Sequence, residues 1–172
     1  MIRPNAPITA LLLSVALVAC SKKPPKELPP QPGDASQQTS DNTGLDNGGA
    51  AVPGSQADFV ASVASDTIYF DTDRYNVDSA DAATLQSQAQ WLARYPGKRI
   101  TVEGHCDERG TRDYNLALGE RRANAAKTYL VGLGVGPERI ATVSYGKERP
   151  VALGSDESSW ARNRRAVTVT VQ

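Results

Sequence analysis

The stretch that most constrains the fold runs from Thr101 to Ala126, TVEGHCDERGTRDYNLALGERRANAA. It opens with strand character, breaks at a short polar turn and continues as a helix. On a wheel at about 100° per residue, Leu118, Ala126, Tyr129, Leu130 and Leu133 gather on one side. Glu120, Arg121, Asn124, Lys127 and Thr128 occupy the other. Arg122 and Asn115 fall inside the apolar side. Burying an unpaired guanidinium is costly, and arginine is almost never fully buried alone. Arg122 must therefore pair within the domain or face a groove at the end of the core.

Its natural neighbour is the turn from His105 to Thr111. That turn lies between the C-terminal end of a strand and a helix N-terminus, where α/β layers gather ligands around free backbone N–H groups. Asp107 supplies a negative charge and Arg122 a forked positive one. Two readings stand side by side. Asp107 and Arg122 can form an internal salt bridge that orients the turn, or together they can hold a zwitterion bearing an ammonium and a carboxylate.

The rest of the chain supplies a frame for this stretch. A short apolar segment, Phe59 to Ala64, reads as one or two helical turns, and Thr67 to Phe70 as a strand. Asp78 or Ser79 can cap a helix that reaches about Tyr95 and stops at Pro96-Gly97. Strands follow at Arg99–Gly104 and Ile140–Tyr145, with a helix over roughly 112–131 between them. Ser158 to Arg164 reads as a short helix, and Ala166 to Val171 alternates strictly as a closing strand. Strands apolar on one face only, alternating with helices, predict an α/β two-layer sandwich: a mixed four-stranded sheet with helices packed on one face, in the order β-α-β-α-β-(α)-β.

Upstream of this frame the composition changes. Met1 to Cys20 carries Arg3 and then an apolar run from Ile8 to Val18. The run falls short of the roughly 20 apolar residues of a membrane-spanning helix and has the length of a signal-peptide core. Its end, Leu17-Val18-Ala19-Cys20, resembles the lipobox of bacterial lipoproteins. That resemblance implies cleavage between Ala19 and Cys20, an S-diacylglycerol and an N-acyl chain on Cys20, and anchorage in a membrane. Ser21 at the next position implies the outer membrane. Residues 20–57 are rich in Pro, Gly and Ser and are expected to form a disordered tether, because they bury too little apolar surface to offset chain entropy. The expected organisation is thus a signal peptide over 1–19, the acylated tether over 20–57 and a globular domain over 58–172.

The motif of the opening stretch, with Gly104-His105, Asp107, Gly110, Asn115, Leu118, Arg121-Arg122 and Ala123, resembles the core of OmpA-like peptidoglycan-binding domains. Tyr69-Phe70-Asp71, Val143 to Glu148 and Asn163 to Val167 carry the same resemblance, which covers about Asp66 to Val171. It implies non-covalent binding of peptidoglycan through the diaminopimelate of the stem peptide. By this likeness Asp107 meets the ammonium and Arg122 the carboxylate, while Asn115, Leu118, Phe70 and Asp71 line the same groove. It further implies TolB and other Tol proteins as partners, and a part in envelope integrity and outer-membrane constriction during cell division. Cys106 departs from the small Ala or Thr usual at its position; a buried thiol is a near-isosteric replacement.

Other functions fit poorly. Lys+Arg and Asp+Glu both count 19, so no basic excess suggests nucleic acid. Glu103, His105, Cys106, Asp107 and Glu108 make a poor metal chelate, because consecutive strand residues point to opposite faces and His105 is the sole histidine. Adjacency of His105 and Cys106 does not make the nucleophile–base geometry that a wall-cleaving enzyme needs. No cofactor is implied. A tether that binds only protein remains the rival to wall binding. Asn163, Arg164 and Arg165 are expected to pair with the acidic 71–81 region rather than to line the groove.

Overall fold

The computed structural model describes residues 51–171. The expected signal peptide, the lipobox with Ala19 and Cys20, and most of the expected tether lie outside the described residues. Helix α1 (Gln56–Ser62) is capped by Ser55, whose hydroxyl accepts from Asp58 N, so helical structure starts two residues ahead of the boundary expected at Asp58. Strand β1 (Thr67–Tyr69) is one residue shorter than expected. Helix α2 (Ser79–Arg94) takes Asp78 as its N-cap, and Asp78 Oδ1 accepts from Asp81 N. Strand β2 (Arg99–His105), helix α3 (Arg112–Gly132), strand β3 (Ile140–Gly146), helix α4 (Glu157–Asn163) and strand β4 (Arg165–Val171) complete the order.

The sheet order is β1-β4-β2-β3. β2 and β3 are parallel, and β4 runs antiparallel to both β1 and β2. This is the mixed four-stranded sheet read from the sequence. Alternation sends Ile68, Ile100, Val102, Ile140 and Ala166 into the core. There they meet Leu85, Trp91 and Leu92 of α2 and Ala123, Ala126 and Leu130 of α3. Each large apolar side chain buried this way contributes about 1.5–3 kcal/mol. Phe59 of α1 closes one side of the core, edge-on to Trp91 at 5.0 Å. The polar pair inside this layer is satisfied: Thr168 Oγ1 donates to Gln88 Oε1 at 2.8 Å, joining β4 to α2.

Two glycines set the position of α3. A Cβ on Gly104 would collide with the carbonyl of Gly119, so the helix backbone rides directly on β2 one residue before the strand ends. The close approach brings the first half of α3, Arg122 included, over the C-terminal end of β2. There the β2–β3 register shifts: Gly104 faces Ser144, but His105 faces Gly146. Cys106 N still bonds to Gly146 O at 2.8 Å, so the chain leaves the sheet in a fixed direction.

Candidate functional site

The β2–α3 turn is held from several sides. Asp107 Oδ1 accepts from Arg109 N at 3.1 Å, the local bond of an Asx turn. Gly110 takes φ 81°, which suits glycine. Asn115 Nδ2 donates to the carbonyls of Arg109 (2.6 Å) and Thr111 (3.0 Å). Lys147 Nζ donates to Glu108 O (3.0 Å) and Gly110 O (2.7 Å). Thr111 caps α3, its hydroxyl accepting from Tyr114 N. The sequence therefore spends much of its polar chemistry here on immobilising one loop.

Arg122 is fully buried. Nε donates to Arg74 O (2.9 Å), Nη1 to His105 O (2.8 Å) and Nη2 to Asp71 O (3.1 Å). Its guanidinium lies 5.2 Å from the Phe70 ring centroid. One side chain thus ties the β1–α2 loop to the end of β2. Among the described residues no carboxylate lies within ion-pair distance of it, so the internal Asp107–Arg122 salt bridge does not form. Burial lowers its pKa, though it stays a cation.

Asp107 finds other partners. Its Oδ2 lies 2.7 Å from Arg109 Nη2 and 3.5 Å from Arg164 Nη1, and its Oδ1 accepts from Arg109 Nε at 3.2 Å. Burial pushes the carboxyl pKa up, but the hydrogen bonds and charge of Arg109, with Arg164 behind them, outweigh it and leave the pKa lowered. Asp107 is therefore an ionised acceptor.

Four of the six residues nominated from sequence, Asp107, Arg122, Asn115 and Leu118, line one pocket of about 250 Å³. Phe70 and Asp71 instead line an adjoining hollow of about 340 Å³ with Arg164. Asp71 touches Arg122 through its carbonyl, and Phe70 is buried beneath the guanidinium. A larger hollow of about 780 Å³, between Tyr75 and the far half of α3, is mainly apolar and has no carboxylate in its lining.

Arg164 corrects the expectation for the 163–165 segment. It does not pair with the 71–81 carboxylates. Nε donates to the carbonyl of Phe70 (2.9 Å), Nη2 pairs with Glu157 (2.7 Å), and Nη1 faces Asp107. Neighbouring Asn163 braces the loop before α4, accepting from Val151 N and Ala152 N. Among the described residues Arg165 bonds only to carbonyls, those of Asn163 and Arg149. Arg109 is the site residue that sequence reasoning passed over. For Arg109 the signal was present in the Asp-x-Arg spacing of a tight turn. Arg164, weighed as a groove-rim residue but expected to pair with the acidic 71–81 region, reaches Asp107 through the tertiary approach of β4.

His105 and Cys106 point apart. The imidazole is buried against Tyr145, ring centroids 5.5 Å apart, and its pKa is lowered to about 4 by burial and then by Arg165 and Arg149. The Cys106 thiol donates to Asn115 O at 3.3 Å, and burial pushes its pKa up to about 11. A protonated thiol without an adjacent base is not an activated nucleophile.

The strand–turn–helix thus presents an ionised carboxylate and a buried guanidinium in one pocket. The OmpA family model matches residues 69–164. A peptidoglycan-associated lipoprotein of Agrobacterium fabrum is 50% identical over 165 residues, 96% of this chain and 87% of that one. The protein of that name from Rhizobium meliloti is 52% identical over 166 residues, again 96% and 87%. The crystal structure of the peptidoglycan-associated lipoprotein from Burkholderia pseudomallei is 51% identical, with TM-score 0.61 over 63% of this chain and 92% of that one. The C-terminal domain of MotB from Helicobacter pylori shares the fold alone, at 20% identity and TM-score 0.58 over 62% of this chain and 84% of that one. The chain belongs to the OmpA family, within its peptidoglycan-associated lipoproteins.

Proposed function

We propose that this domain grips peptidoglycan non-covalently by the free end of diaminopimelate in the stem peptide. One observation carries the reading: Arg122 is a fully buried cation with no carboxylate partner among the described residues. Buried charges are ordinarily paired. A guanidinium has five N–H groups, and Arg122 gives three hydrogen bonds to backbone carbonyls. The remaining N–H groups can receive a ligand carboxylate. Asp107, in the same pocket, can accept from the ammonium on the same carbon of the ligand. Asn115 fixes the turn, Leu118 supplies the apolar wall, and Phe70 and Asp71 shape the neighbouring hollow.

The names of the relatives support peptidoglycan as the polymer held. The lipobox at Leu17–Cys20 supports an acyl anchor at Cys20 in the outer membrane, so the chain would tether that membrane to the wall. TolB and other Tol proteins are the proposed protein partners, and support of membrane constriction at division the proposed role.

The test is sedimentation of the unacylated chain with purified sacculi, with Asp107→Asn beside it. Binding by the wild type and its loss in a folded Asp107→Asn variant is the expected result. Wild-type chain that stays in the supernatant would leave a protein-only tether as the better reading.

A further inference from the structure

Asp107 is already occupied. Arg109 spans both its oxygens, through Nε to Oδ1 and Nη2 to Oδ2. Behind the carboxylate, Arg164 Nη1 sits 3.5 Å from Oδ2, buried and without a hydrogen-bond partner among the described residues. The two arginines are placed differently. Arg164 is 6% exposed and fixed by Phe70 O and Glu157. Arg109 is 39% exposed and at the mouth of the pocket, with its guanidinium 4.3 Å from the Trp160 ring centroid and Nη2 also reaching Thr72 Oγ1 at 3.2 Å. A part-exposed cation therefore stands on the acceptor, and a buried cation stands just out of bonding range.

We infer that Arg109 is a displaceable counter-ion that holds the place of the ligand's ammonium on Asp107 and so sets the affinity of the site. The inference rests on the reading of Asp107 as the ammonium acceptor. A ligand ammonium exchanges with the Arg109 side chain, which swings toward solvent along the face of Trp160. Released from Arg109, the carboxylate turns its Oδ2 onto Arg164 Nη1 and offers Oδ1 to the ligand. The exchange gives a buried orphan donor its missing acceptor, and leaving such a donor unmade is costly. Asp107 keeps a cation at each stage, so its charge is never uncompensated in the buried site. Arg109 also screens the pocket: a neutral or anionic group offers Asp107 nothing in exchange and leaves the arginine in place on the carboxylate.

The test is calorimetric titration of the unacylated chain and its Arg109→Ala and Arg109→Lys variants with three stem tripeptides. The third residue is diaminopimelate, lysine, or 2-aminopimelate lacking the distal ammonium. Arg109→Ala is expected to bind the diaminopimelate peptide several-fold tighter than wild type, with Arg109→Lys between them. The lysine peptide, weak throughout, gains by a similar factor, and the 2-aminopimelate peptide gains nothing. Weaker binding by Arg109→Ala would make Arg109 a direct ligand contact and overturn the inference while leaving the proposed site intact. An equal gain for the 2-aminopimelate peptide would also overturn it, because loosening of the turn would account for that. Failure of the wild type and both variants to bind the diaminopimelate peptide would overturn the proposed site and the inference together.

Discussion

Replacing Arg122 by alanine tests how one buried cation divides its work between folding and binding. The side chain bonds to three carbonyls in two separate segments, those of Asp71 and Arg74 in the β1–α2 loop and that of His105 at the end of β2. A hydrogen bond from a charged donor is worth about 1.5–3 kcal/mol net. The exposed Asp71 and Arg74 can turn their carbonyls to water, so those two bonds are partly replaced. The His105 carbonyl, inside the domain, has no such substitute; stranding it costs about 1–3 kcal/mol. Removing the buried charge relieves a desolvation penalty and offsets part of the total. The net expectation is a loss of about 3 kcal/mol. For a domain of this size that lowers Tm by about 10 °C. Thermal unfolding of the unacylated variant, followed by circular dichroism, measures it. Asp107→Asn, with its arginines still bonded to other acceptors, should lose less than half as much. A Tm within 2 °C or so of wild type for Arg122→Ala would refute the reasoning, and would mean that the carbonyl bonds contribute little. The expected outcome also sets how binding must be compared: at a temperature below both transitions, so that loss of ligand is not loss of fold.

Three further outcomes follow from the packing. His105 is the sole histidine, so its imidazole resonances give an unobstructed titration, with an expected pKa of about 4 in the folded chain. Its folded pKa lies below the ordinary 6.5, so the unfolded state takes up the proton first; stability is full above about pH 6.5 and falls by up to about 3 kcal/mol toward pH 4. His105→Phe should flatten that part of the denaturation profile, and an unchanged slope would show that other groups cause it. Gly104→Ala should cost at least about 3 kcal/mol or abolish folding, because the added methyl meets the Gly119 carbonyl; urea denaturation with a normal midpoint would contradict the close approach. A chain starting at Gly48 should be more stable than one starting at Asp58. The longer chain keeps the Ser55 cap and the bonds from Thr170 to Gln56 Oε1, each worth about 1 kcal/mol. Equal Tm values for the two would show that α1 contributes nothing.

The sequence was most legible where local pattern and tertiary packing agree. Strict alternation from Ala166 to Val171 and the wheel of α3 gave strand and helix within a residue or two. The anomaly at Arg122 was visible because an arginine on an apolar face conflicts with the cost of burying charge. Its acceptors were not visible. They are backbone carbonyls 17, 48 and 51 residues away, and a carbonyl carries no side-chain signature. The expected pairing of residues 163–165 with the acidic 71–81 region counted charges without knowing which strand pairs bring them near. The antiparallel register of β4 with β1 sets Arg165 opposite Tyr69, and this carries Arg164 to the Phe70 carbonyl and to Asp107.

The strand pairing also fixes a direction of load. Gln56 is bonded to Thr170, near the end of β4 that faces Arg99, whereas Asp107 follows His105 at the opposite end of β2. Any pull between the chain ahead of Gln56 and a molecule held at Asp107 therefore runs lengthwise along the strands. Under such traction the β1–β4 and β2–β4 ladders are strained in shear, where their bonds must fail together, and not peeled apart one at a time.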